Sequence, residues 1–148
     1  MKKHVLAVLA YGVATFVTQA LSHFVVNNAH YAAVTYLRPD PIFPLGVATM
    51  LIQGCILSYL YSRFVTQERS IGHAVRFGWL AGGFLVSYIA LGEAAKYVVP
   101  AIGSWIAVEV IAGFAQFTLY GLLLGFVYRV PGPAAATKGN GIAHNAIR

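Results

Sequence analysis

The chain has 148 residues, 9% of them charged and 59% hydrophobic, with a mean hydropathy of +0.71. A soluble domain carries about 25% charged residues, so the composition excludes an ordinary water-soluble fold and fits one lipid-embedded domain. The net charge of +6 does not point to nucleic acid, because the basic residues flank apolar segments instead of forming a patch.

The first apolar run covers 5–26 and holds no Asp, Glu, Lys or Arg. It follows Met1-Lys-Lys, which also resembles the basic start of a cleaved signal peptide, with Thr18-Gln-Ala20 as a weak cleavage site. Its length exceeds the 7–15 residues usual for such a segment, so it reads as a retained helix. Asn27, Asn28 and Arg38-Pro-Asp-Pro41 then break the chain, as turn chemistry does. The second run, 42–62, has Pro44 in its first turn, where a missing N–H costs little. A polar link, Thr66 to Ser70, leads to a third run at 77–98. Pro100 and Gly103 mark a tight hairpin into the fourth run, 102–128. Each run reaches the roughly 20 residues that cross a hydrocarbon core of about 30 Å, and in lipid each must be helical to satisfy its own backbone.

These runs predict an all-α, integral membrane four-helix bundle over residues 1–130. A mobile cytoplasmic tail, 131–148, follows from its Pro, Gly and Ala content. Lys2, Lys3, Arg63, Arg69, Arg76, Arg129, Lys138 and Arg148 fall on one side, and only Arg38 and Lys96 on the other. The excess of Lys and Arg marks the cytoplasmic side, so both termini are expected there, in a cell (inner) membrane.

Small residues at four-residue spacing mark helix contact faces in lipid. Gly54 and Ser58, Gly78 and Gly82, and Gly121 and Gly125 are such pairs. They serve packing within the chain, and some could also join copies of it. Trp79, Tyr97, Trp105, Tyr61 and Tyr128 lie near helix ends and read as an interfacial aromatic belt.

The most informative residues are polar groups that lipid would reject. Gln19, His23 and Asn27 recur at four-residue spacing on the first helix, and so share a face. Glu93 and Lys96 sit near the outer end of the third. Glu109, seven residues into the fourth, lies about 10 Å below that end, and Gln116 lies seven further along the same face. Gln53 is at similar depth on the second helix. With alternating helix directions, Gln19, His23, Gln53, Glu93, Lys96, Glu109 and Gln116 form a predicted polar pocket open to the outer side. Buried ionisable groups in a bilayer are functional candidates, and also stitch helices together by hydrogen bonds.

No Gly-x-Ser-x-Gly or His-Glu-x-x-His signature occurs, and no catalytic residue is assigned. The lone Cys55 excludes an internal disulfide. His23, His30, Glu93 and Glu109 have no recognised metal-site spacing, and His23 has no second histidine at its depth to share a haem. No metal or cofactor is therefore expected. The leading expectation is a non-enzymatic, self-associating or accessory subunit whose partners are membrane lipids and copies of itself or other membrane subunits. The alternative is a small proton-coupled transporter or channel using Glu109 and His23; a membrane enzyme or cofactor carrier ranks third.

Overall fold

The computed structural model describes residues 1–34, 38, 40–65 and 70–129. The tail expected at 131–148 lies outside the described residues. All regular structure described is helical: α1 (Lys2–Leu21), continued by a π-helical turn (Ser22–Val26), short α2 (Asn28–Ala32), α3 (Phe43–Phe64), α4 (Ile71–Ser87), continued by a π-helical turn (Tyr88–Glu93), and α5 (Ile102–Tyr128). Four segments, Lys2–Val26, Phe43–Phe64, Ile71–Glu93 and Ile102–Tyr128, are long and apolar enough to cross a membrane.

Local chemistry explains the boundaries. Pro44 occupies the first turn of α3, where its fixed backbone angle is already helical. Ser70 caps α4 by accepting the His73 backbone N–H at 3.2 Å. That cap starts the helix at residue 71, six residues before the apolar run at 77–98. His73 and Arg76 are exposed on the first turns, where polarity interrupts the hydropathy without interrupting the helix. The far end also departs from the apolar run. The segment stops at Glu93, whose carbonyl accepts from both Lys96 and Tyr97 in a closing turn. Pro100 then blocks a continuous helix into α5.

The helices are arranged around α5 and α1. Helix α4 packs on α5, α5 on α1, and α1 on α3, whereas α3 and α4 scarcely touch. On α1 the buried stripe is Ala7, Ala10, Tyr11 and Ala14, the spacing of one helical face. The α4–α5 seam is the closest. A Cβ on Gly78 would stand 2.5 Å from the Phe117 carbonyl oxygen, and one on Gly121 2.7 Å from the Val75 Cα. Only glycine permits that backbone approach. Gly82 and Gly125 lie on the same seam, and Gly54 lies against Val8 and Tyr11 of α1. Ser58, 1% exposed, is inside as well.

Tyr11, Tyr61, Tyr120 and Tyr128 form the aromatic centre, with Tyr11–Tyr120 and Tyr61–Tyr128 ring centroids both at 5.1 Å. This corrects the belt assignment for Tyr61, Tyr128 and Trp105, which are buried; Trp79 and Tyr97 are exposed. Tyr128 faces inward toward Ser58 Oγ at 3.4 Å, and Trp105 packs over His30 at 5.7 Å between ring centroids. Position near a helix end does not determine which way a ring turns.

A polar-walled cavity between the four helices

One end of the bundle carries the α1–α3 and α4–α5 connections. Near it, all four long helices and Tyr31 line a partly open cavity of about 600 Å³. Helix α1 and its π-helical continuation contribute Tyr11, Thr15, Gln19 and His23, and α5 contributes Trp105, Glu109, Gly113 and Gln116. Each set recurs every three or four residues, so each is one face of its helix. Helix α3, and α4 with its π-helical continuation, supply mainly apolar rims, with Thr49, Gln53 and Glu93 as their polar members.

Six of the seven residues assigned to the pocket from sequence therefore share one cavity: Gln19, His23, Gln53, Glu93, Glu109 and Gln116. Lys96 is not on its wall; it is exposed, with Nζ 5.1 Å from the centre of the Tyr88 ring. The three-residue spacing from Glu93 implies adjacency only on a continuous helix, and the helix ends between them.

The polar wall is organised by hydrogen bonds. Gln19 Nε2 donates to Gln116 Oε1 at 2.9 Å, and Gln116 Nε2 donates to Thr15 Oγ1 at 3.0 Å. Tyr11 donates to Gln53 Oε1 at 2.5 Å. Nearer the connections, Tyr31 donates to Glu109 Oε1 at 2.7 Å. Burial pushes the Tyr31 phenol well above its ordinary range, so it keeps its proton and remains a donor. The Tyr31 ring stacks on His23 at 3.7 Å between centroids, 11° from parallel. His23 Nδ1 donates to the Gln19 carbonyl at 3.1 Å, since a carbonyl only accepts, leaving Nε2 as the other ring position.

Four wall residues, His23, Phe24, Ile89 and Glu93, belong to the π-helical turns. A π turn rotates the residues after it relative to an α-helix, and such turns recur at functional sites. Here they follow α1 and α4 at the cavity's end of the bundle.

Sequence reading missed Tyr11, Thr15, Tyr31 and Trp105. Tyr11 and Thr15 extend the Gln19, His23 spacing backwards and were legible as the same face. Tyr31 lies beyond the first apolar run, in a break read as turn chemistry, where no periodicity points to it.

No protein family, curated protein or solved structure matches this chain. Among the described residues, no three His, Cys, Asp or Glu side chains converge as a metal site. A serine–histidine pair does occur at the opposite end, His4 Nδ1 and Ser58 Oγ at 2.9 Å. Ser58 is buried and does not line the cavity, so the pair reads as a tie between α1 and α3. Among the described residues, the cavity offers carboxylates, amides, hydroxyls and one imidazole, with no lysine or arginine on its wall.

Proposed function

We propose that this chain is a multi-pass protein of a cell membrane, with both termini cytoplasmic, that binds a small molecule in its central cavity without transforming it. The observation that carries this reading is the cavity of about 600 Å³, into whose largely apolar wall all four long helices set polar side chains. Polar groups inside a bilayer are expensive, and hydrogen bonds among themselves would suffice to satisfy them in a closed core. A cavity of that size lies within the 300–1,000 Å³ of ordinary ligand pockets. Lys2, Lys3, Arg63, Arg76 and Arg129 near one end, against Arg38 and Lys96 near the other, support the orientation.

The self-associating or accessory role draws less support from this packing. Gly54, Gly78, Gly82, Gly121 and Gly125 are buried within the chain, so an interface with other subunits would use exposed apolar residues such as Leu80 and Phe84.

Substituted-cysteine labelling tests the reading. In a Cys55→Ser background, Thr15→Cys is expected to react with a water-soluble methanethiosulfonate ammonium reagent much faster than Leu80→Cys, which is 77% exposed on the outer surface. Equal, slow reaction at both positions would mean a closed wall that only ties helices together, and the binding reading would fall.

A further inference from the structure

Helices α3 and α4 flank the cavity but scarcely touch. Between them runs a second space of about 360 Å³, lined by Gln53, Ile56, Leu57, Leu60, Phe77, Ala81, Phe84 and Leu85. Seven of these eight are apolar. Gln53 and Leu85 also line the main cavity, so the two spaces adjoin. From Gln53 to Leu60 the groove follows about 10 Å of helix. Ile56 and Phe84 are exposed, so it is open along the bundle's flank.

The two spaces divide by polarity. The groove's wall is almost wholly hydrocarbon, whereas the main cavity holds Glu93 and Glu109 and, among the described residues, no lysine or arginine. Tyr31 occupies Oε1 of Glu109, which leaves Oε2 for the cavity. A phosphate or carboxylate headgroup would meet two glutamates, with the His23 imidazole as the basic group among the described lining residues and Lys96 outside the wall, at a high desolvation cost. An ammonium group would find acceptors in the glutamates and in the side-chain oxygens beside them.

Resting on the cavity reading above, we propose that the ligand is a single-chain amphiphile with an amine or ammonium headgroup, admitted sideways from the bilayer between α3 and α4. Its headgroup lies among Glu93, Glu109 and Gln116, and its hydrocarbon chain lies along Ile56, Leu60, Ala81 and Phe84. The arrangement matches each end of the molecule to the solvent it prefers: the chain stays in a lipid-like channel, and the charge leaves hydrocarbon for hydrogen-bonding groups.

The chain has two tryptophans, and Trp105 lines the cavity while Trp79 does not. A Trp79→Phe variant in nanodiscs of zwitterionic lipid therefore reports on the cavity by its Trp105 emission. Dodecylamine should produce a saturable change, and dodecanoate none. Glu109→Gln and Glu93→Gln should each weaken the dodecylamine response at least about tenfold, the loss expected for a charge-assisted contact. Ala81→Phe, or Leu60→Phe if the first variant melts early, should weaken dodecylamine similarly while leaving the response to butylamine unchanged.

If dodecanoate acts as well as dodecylamine, charge selection is wrong. If both groove variants bind dodecylamine like the parent, sideways admission is wrong, and a persisting butylamine response leaves the cavity reading intact. If neither amine acts while Thr15→Cys is readily labelled, the ligand class is wrong and the cavity reading survives. Silence from both amines together with an unreactive Thr15→Cys overturns both.

Discussion

Two buried tyrosine hydroxyls show how much the surroundings of a single atom matter. Tyr31 donates to a glutamate at 2.7 Å, while the hydroxyl of Tyr120, at 0% exposure, meets no hydrogen-bond partner among the described residues. Removing the first oxygen strips a donor from a carboxylate, which costs about 1.5–3 kcal/mol. Removing the second forfeits no bond and relieves a buried polar group. Tyr31→Phe should therefore lower the melting temperature of the purified protein, and Tyr120→Phe should leave it unchanged or raise it. Equal losses in thermal denaturation would contradict this assignment of partners. Spacing could expose Gln19 and His23 as one face, because a helix repeats every 3.6 residues. It could not expose Tyr31, which reaches Glu109 from 78 positions away in the chain through a short helix outside the apolar runs.

At the scale of the helix, the α4–α5 seam is the tightest element of the fold. Gly121 sits where a Cβ would press on the Val75 Cα and the Ala74 carbonyl oxygen, at 2.7 and 2.9 Å. Both are backbone atoms, so the helices must separate to admit even a methyl group. Gly121→Ala should cost about 1–3 kcal/mol, despite alanine's better helix propensity. Gly83, on α4, would meet nothing within 4 Å, and Gly83→Ala should be neutral or stabilising by up to about 1 kcal/mol. Melting curves of the two variants in one detergent make the comparison. A Gly121→Ala protein as stable as the parent would show that the seam is looser than its geometry. The seam glycines could be recognised from their four-residue spacing, but not the partner of each. Spacing identifies a face and leaves open which helix lies against it.

Across the whole molecule, the pairing order α3–α1–α5–α4 leaves one flank open, and the cavity and its groove lie there. The distribution of basic residues supports the proposed orientation, with both termini cytoplasmic. In intact cells, Lys96→Cys in a Cys55→Ser background should react with an impermeant maleimide, whereas Lys3→Cys should react only after permeabilisation. The reverse pattern would invert the assigned orientation, and with it the side to which Glu93 and His23 lie nearest.

Four apolar helices were legible from the sequence because a stretch of about 20 oily residues has one backbone solution in lipid, and that solution needs no knowledge of its neighbours. The polar residues stood out for a similar reason, each being costly wherever acyl chains surround it. The gathering of six of them around one cavity, the exclusion of Lys96 and the inward turn of Tyr61, Trp105 and Tyr128 depend on the pairing of helices and on where each helix stops. Hydropathy is a property of residues taken singly. Those outcomes are properties of pairs of residues far apart in the chain, and only packing in three dimensions decides them.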